Sequence, residues 1–253
     1  MELRIYSPPA APSKAARYLP RWVRAFEAWA APAVAPEEEG ERSLTPVALL
    51  LGLALILQYA QLGIPAVHAY LQDFDIGYRA SWAGFTVIKH AFLFVLLLIA
   101  LQVKEEPLVA IGFPRLDARR WSLALGLAAF FLGAALLRAP DFTPQQAAMH
   151  WGDPVSPGER TLWVLLALSA AVVEETLFRG FALVWTYRWS GHLPLAVLFP
   201  ALVFAAGHAY AGWVNVGFAF VAALVFSGIF LWRRELYWPM VIHFVFDAWI
   251  LLA

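Results

Sequence analysis

Long apolar runs separated by shorter polar connections fill the chain from residue 46 to its end. A helix needs about twenty mostly apolar residues to span a bilayer. Seven runs approach that length, at residues 46–64, 82–102, 121–138, 161–187, 193–210, 213–232 and 237–253. The pattern therefore predicts an all-α, polytopic membrane protein with seven transmembrane helices.

The first 45 residues follow a different pattern. They are polar and rich in proline, and they lack the apolar core of a cleavable signal peptide. We therefore predict a cytoplasmic tail over residues 1–45 and a membrane domain over residues 46–253. Residues 22–31 could form a short amphipathic helix at the membrane interface. If this patch inserts, the protein has eight spans.

Composition narrows the class of protein. Hydrophobic residues make up 62% of the 253 positions and charged residues 14%, whereas soluble domains carry roughly 25% charged residues. The lipid bilayer is thus one partner, and a net charge of zero gives no indication of nucleic-acid binding. The absence of cysteine excludes disulfides, thiolate metal sites and cysteine nucleophiles.

The basic residues predict an orientation, because cytoplasmic segments of membrane proteins carry an excess of Lys and Arg. With the N-terminus in the cytoplasm, thirteen of the eighteen basic residues fall on the cytoplasmic side and three outside. Arginine outnumbers lysine fifteen to three, which is typical of a GC-rich bacterial genome. We expect a bacterial inner-membrane protein whose N-terminus is cytoplasmic.

Two adjacent carboxylates, Glu174 and Glu175, lie inside the fourth apolar run. Ionisable groups at bilayer depth cost several kcal/mol each and are commonly functional, and two neighbouring like charges oppose each other's ionisation. On a helix, Glu175 and Arg179 are one turn apart and can form an ion pair. Glu174 points about 100° away from Glu175. We therefore predict that Glu175 is structural and that Glu174 carries chemistry.

Histidines supply the other candidate groups. His208 ends the fifth run, and His243 and Asp247 lie one helical turn apart in the seventh. Taken singly, each is a packing histidine, a histidine oriented by an aspartate, or half of a metal site, since imidazole and carboxylate suit several divalent ions. We interpret Lys89 and His90, in the second run, as a snorkelling or packing pair.

The ordered motifs EExxxR, FxxxH and HxxxD resemble those of the CPBP family of intramembrane proteases, which includes the eukaryotic CAAX prenyl endopeptidase and the bacterial Abi proteins. The resemblance covers residues 160–253. Where the prenyl endopeptidase has asparagine in the last motif, this chain has Asp247. The resemblance implies catalytic roles for Glu174, His208, His243 and Asp247, and supporting roles for Glu175, Arg179 and Phe204.

By this resemblance, the protein hydrolyses a peptide bond within the membrane. Glu174 acts as general base on a water held between it and His208. His243 donates a hydrogen bond to the oxyanion, and Asp247 orients His243. The chain has no HExxH motif, so we expect a reaction without a cofactor, although zinc at the same residues stays open.

A helix rises by about 1.5 Å per residue, so the position of a residue in its apolar run predicts its depth in the bilayer. The depths predicted in this way for Glu174, His208 and His243 do not agree. Glu174 and His243 fall in the cytoplasmic half of the bilayer, whereas His208 falls near the opposite end of its run. Pro200 or Gly207 could break or re-angle that run.

Two other classes of function stay open. Intramembrane acids and histidines also mark proton-coupled transporters, although the sequence shows no internal repeat. A non-catalytic membrane protein of immunity or scaffolding is the other alternative. For a protease we expect a membrane-anchored peptide or protein substrate, such as a C-terminal sorting tail, and the sequence leaves the oligomeric state open.

Overall fold

A computed structural model describes residues 21–30, 45–60, 78–113, 117–137, 156–209 and 212–252. The regular structure within these ranges is entirely helical, which confirms the predicted all-α class. The α-helices are α1 (Arg21–Ala30), α2 (Thr45–Ala60), α3 (Tyr78–Val103), α4 (Ala118–Leu137), α5 (Pro157–Glu175), α6 (Val184–Ser190), α7 (Leu193–Ala206), α8 (Trp213–Arg233) and α9 (Tyr237–Leu252).

Four stretches of the described residues are long and apolar enough to cross a membrane, namely Trp82–Val103, Ala118–Leu137, Pro157–Ser190 and Trp213–Arg233. Many of their large apolar side chains are exposed, as expected of surfaces that face lipid rather than water. The protein is therefore an integral membrane protein. The first and fifth predicted spans form shorter apolar helices, α2 and α7, so the total of seven or eight spans stays a prediction.

Helix α5 begins at Pro157, before the apolar run that predicts it. Its N-terminus carries a capping box, in which the Ser156 hydroxyl accepts from the Glu159 backbone N–H and the Glu159 carboxylate accepts from the Ser156 N–H. These bonds satisfy two backbone donors that would otherwise be unpaired. Proline at the first helical position costs no hydrogen bond. Polar capping thus starts the helix ahead of its apolar stretch.

The long fourth run is not one regular helix. After Glu175 the chain widens into a π-helical segment, Thr176–Leu183, in which all eight residues are buried. A π-helical turn inside an α-helix is rare and often marks a functional site. Here it directly follows the carboxylate pair.

A glycine lets another part of the chain approach this segment. A Cβ at Gly180 would lie 2.8 Å from the backbone oxygen of Ile111, at the end of a 3₁₀ turn, Leu108–Ile111. Gly112 follows in the left-handed region with φ of +82°, and its carbonyl accepts from the Leu236 N–H at 2.8 Å. The π-helical segment is therefore packed directly against backbone.

The amphipathic patch near the N-terminus forms helix α1, and its apolar face packs against protein. Phe26 and Ala30 are fully buried in one cluster with Val184 and Phe230. The Arg188 Nε donates to the carbonyl of Ala30 at 2.9 Å. These contacts dock α1 beside the end of the π-helical segment.

Candidate functional site

A buried ion pair forms one side of the site. The Arg179 Nη1 donates to the Glu175 Oε1 at 2.9 Å, as the i to i+4 spacing predicts. Both side chains are almost fully buried, with 1% and 0% of their surface exposed. The guanidinium also lies over the rings of Phe204 and Phe226, with 4.6 and 5.3 Å from its carbon to the ring centroids. Cation–π contacts of this kind stabilise a desolvated guanidinium.

His243 extends this pair from α9. Its Nδ1 lies 2.8 Å from the same oxygen of Glu175 that binds Arg179. The carboxylate oxygen accepts from Arg179, so it also accepts the Nδ1–H of His243. The His243 ring stacks against Phe226, with 5.5 Å between centroids. We refer to Arg179, Glu175 and His243 as the buried cluster.

Two carboxylates contact the His243 ring. The sequence predicts that Asp247 orients this ring, and Glu175 adds a second, shorter contact that the sequence did not predict. The Asp247 Oδ2 lies 3.4 Å from the His243 Nε2, so both groups contact the ring on different nitrogens. The physical reason is that the buried face of α9 directs Nδ1 across to α5, whereas the helical spacing leaves Asp247 beside Nε2.

Glu174 has a different environment from its neighbour, because it is 20% exposed rather than fully buried. Its Oε1 lies 3.3 Å from the His90 Nε2. Its Oε2 lies 4.0 Å from the His243 Nε2, on the side of the buried cluster. The two oxygens of one carboxylate therefore face imidazoles from two different helices, α3 and α9.

His90 is a member of the site that the sequence did not predict. It comes from α3, and its Nδ1 lies 2.9 Å from the hydroxyl oxygen of Ser169. The interpretation of Lys89 and His90 as a snorkelling or packing pair did not include the contact of His90 with Glu174. No short motif could have found this residue, since its partners lie far along the chain. An ionisable group inside an apolar run was the available signal.

His208 lies in the turn that follows α7, because this helix ends at Ala206. Its Nδ1 donates to the carbonyl of Phe204 at 2.8 Å, and its ring lies against the Phe204 ring. His208 and Glu174 line the same cleft. The mismatch in depth between these two residues therefore disappears in the folded chain.

About 420 Å³ of the cleft is free of protein atoms, a volume that includes space open to solvent. Its polar wall contains Glu174, His90, His208 and Lys89, whose ammonium donates to the side-chain oxygen of Gln58. The rest of the wall is mainly apolar, with Ala54, Leu55, Leu93, Val173, Leu177, Phe178, Val203 and Phe204. Apolar walls with a few polar groups are typical of ligand-binding clefts. We refer to the space within these walls as the cleft.

Among the described residues, no group of three or more histidine, cysteine, aspartate or glutamate side chains is arranged to hold a metal ion. A catalytic zinc ion is commonly held by three protein ligands, with a fourth position left open for water. We therefore derive no step that uses a metal.

Comparisons with known proteins agree with the motifs. Residues 156–249 match the family model described as type II CAAX prenyl endopeptidase Rce1-like. The match begins at the N-cap of α5 and ends within α9, so it contains the buried cluster, Glu174 and His208 but not His90. Searches of curated proteins and of solved structures gave no significant match. The family resemblance that the motifs predict is thereby confirmed over residues 156–249, where the chain is similar to the Rce1-like type II CAAX prenyl endopeptidases.

Proposed function

We propose that this protein is an intramembrane endopeptidase that uses Glu174 to activate water. One observation carries the proposal. Of two adjacent carboxylates, Glu175 is fully buried in an ion pair, whereas Glu174 is partly exposed in a cleft lined by imidazoles. A partly exposed carboxylate beside imidazoles is suited to general base catalysis. The matched family, which consists of CAAX prenyl endopeptidases by its description, supports peptide hydrolysis.

The first step adds water to the peptide carbonyl. A water between Glu174 and His208 gives one proton to the Glu174 carboxylate while its oxygen bonds to the carbonyl carbon. His208 is suited to hold this water because it lines the same cleft as Glu174, and its Nδ1–H donates to the Phe204 carbonyl. The carbonyl oxygen becomes an oxyanion in the tetrahedral intermediate.

The second step breaks the peptide bond. His243, with both nitrogens protonated, donates Nδ1–H to Glu175 and Nε2–H to the oxyanion. Preorganised donors of this kind stabilise the transition state strongly in a dry site. Glu174 then transfers its proton to the departing nitrogen, the carbon–nitrogen bond breaks, and the new carboxyl group loses a proton to solvent. Asp247, 3.4 Å from Nε2, holds the protonated form of His243 in place.

The apolar walls of the cleft support a membrane-anchored peptide or protein as substrate, with a C-terminal sorting tail as the favoured class. Cleavage of such a tail would occur within the bilayer, which four helical stretches can cross. We propose that the protein resides in a bacterial inner membrane with a cytoplasmic N-terminus, as its basic residues predict.

The test is a comparison of membrane proteomes. Cells that carry the Glu174→Gln variant should accumulate at least one uncleaved membrane precursor that wild-type cells process. Glu105→Gln, the same substitution at an exposed carboxylate between α3 and the 3₁₀ turn, is the matched control and should accumulate none. Identical proteomes in all three strains would contradict a protease and favour the scaffold. Flux of a solute that Glu174→Gln abolishes, without any precursor, would favour a transporter.

A further inference from the structure

His90 lies outside the family-matched segment, and the reaction above gives it no role. Its side chain is 2% exposed, in a helix long and apolar enough to span the membrane. Polar groups in such helices are costly unless they are paired. Within the described residues, Glu174 is the carboxylate at ion-pair distance from its Nε2, at 3.3 Å. This contact therefore requires a physical account.

A short chain of hydrogen bonds fixes the His90 ring. The Ser169 hydroxyl donates to the carbonyl of Leu166 at 2.9 Å. The single hydroxyl proton of Ser169 is thus used, so its oxygen accepts from the His90 Nδ1–H. The Nε2 of His90 is left to face Glu174. The 3.3 Å between Nε2 and Oε1 is an ion-pair distance, although Nε2 makes no hydrogen bond within the described residues.

This contact separates the two oxygens of Glu174. Oε1 faces His90, and Oε2 lies on the side of His243, at 4.0 Å from its Nε2. A carboxylate held at one oxygen cannot rotate freely about its last torsion. The other oxygen therefore keeps a fixed direction towards the place where a water must lie. Displacement of a reacting group by about 1 Å can cost 100-fold in rate.

We propose that His90 is a positioning residue, which holds Oε1 of Glu174 so that Oε2 faces the attacking water. This inference rests on the proposed function. It adds a member from α3 to the proposed catalytic and supporting residues, which otherwise belong to the segment from α5 to α9. The α3 helix thus contributes to catalysis through Glu174 rather than by contact with substrate.

The experiment uses the purified full-length protein in detergent, with the precursor that accumulates in Glu174→Gln membranes as substrate. His90→Ala should lower kcat about 10- to 100-fold, because a small displacement of a reacting group is costly in rate. KM should change much less than kcat, because the proposed role of His90 is to hold Glu174. Added imidazole should restore part of the His90→Ala rate, and His90→Gln should retain more activity than His90→Ala because its amide can donate to Oε1.

Two controls separate positioning from folding. Thr86→Val alters a buried residue one turn before His90, whose hydroxyl bonds to the Trp82 carbonyl, and it should leave kcat unchanged. His90→Ala placed in the Glu174→Gln background should cause no further loss. Wild-type kcat in His90→Ala, or a rate that neither imidazole nor His90→Gln raises, would overturn the inference while leaving the protease intact. Absence of any precursor would instead refute the proposed function, and the inference with it.

Discussion

The buried cluster and the cleft begin at adjacent residues and differ in almost every physical property. In the buried cluster, Glu175 has no exposed surface and accepts from both Arg179 and His243. In the cleft, Glu174 is one-fifth exposed and its contacts with imidazoles are 3.3 and 4.0 Å long. A fully buried carboxylate with short contacts to charged partners is thus suited to a structural role, whereas a partly exposed one with longer contacts is available for chemistry.

The difference follows from helical geometry and packing. Consecutive helical residues are rotated by about 100°, so the two carboxylates face different neighbours. The π-helical segment that follows keeps Arg179 within reach of Glu175 while all eight of its residues are buried. Within the described residues, Glu175 Oε2 and Arg179 Nη2 are buried without a hydrogen-bond partner, so the pair is held by the contacts of Glu175 Oε1. Glu174 is partly exposed in the cleft.

The largest expected effect on stability comes from removing one charge of the buried cluster. Arg179→Met removes the cation and leaves Glu175 as a charge with only His243 beside it. Removal of one partner of a buried ion pair typically costs roughly 3–5 kcal/mol. Thermal denaturation in detergent should show a large drop in the unfolding temperature of Arg179→Met.

A double variant provides the matched control. Arg179→Met combined with Glu175→Gln removes both charges, and it should recover much of the lost stability, because the amide oxygen can still accept from His243. Equal stability of Arg179→Met and wild type would show that the buried cluster is not held by its ion pair.

A smaller effect on stability is expected at Gly180, where the backbone of Ile111 approaches the π-helical segment. The Cβ of Gly180→Ala would meet the Ile111 oxygen at 2.8 Å, and overpacking of this kind costs roughly 1–3 kcal/mol. Gly228→Ala is the control, since no atom lies within 4 Å of its added Cβ. Gly228→Ala should be neutral or mildly stabilising, because alanine has a higher helix propensity than glycine. Equal melting temperatures of Gly180→Ala and Gly228→Ala would show that the close packing at Gly180 does not constrain the π-helical segment.

The smallest expected effect is that of a chelator on the rate of cleavage. The proposed reaction uses no metal, so cleavage of the accumulated precursor should continue unchanged in excess chelator. A zinc-dependent peptidase in the same detergent serves as the positive control for metal removal. Loss of cleavage that added zinc restores would place a metal at the cleft and contradict the proposed roles.

The sequence predicts the parts of the site that depend on local spacing. Glu175 with Arg179, and His243 with Asp247, lie one helical turn apart, so each pair was evident from its own short motif. The all-α class was equally evident, because apolar runs of spanning length have few other solutions in a bilayer. These predictions needed no knowledge of tertiary packing.

The remainder depends on contacts between distant segments. The run over residues 161–187 predicts one helix, whereas a π-helical segment lies within it, and a close approach to Ile111 is allowed by Gly180. The small difference in rotation per residue between an α-helix and a π-helix does not appear in an almost wholly apolar pattern. His90 reaches Glu174 only because α3 packs along α5. Neither feature has a local sequence signature.

The most direct measurement compares Glu174→Gln with Glu175→Gln for both cleavage rate and melting temperature. The two substitutions are chemically identical and adjacent, so they differ only in environment. Glu174→Gln should cleave the accumulated precursor about 100- to 10,000-fold more slowly, as expected for loss of a general base, and should melt like wild type. Glu175→Gln should melt at a clearly lower temperature. Wild-type cleavage by Glu174→Gln, or a stability loss confined to Glu174→Gln, would contradict the assignment of Glu174 to chemistry and Glu175 to structure.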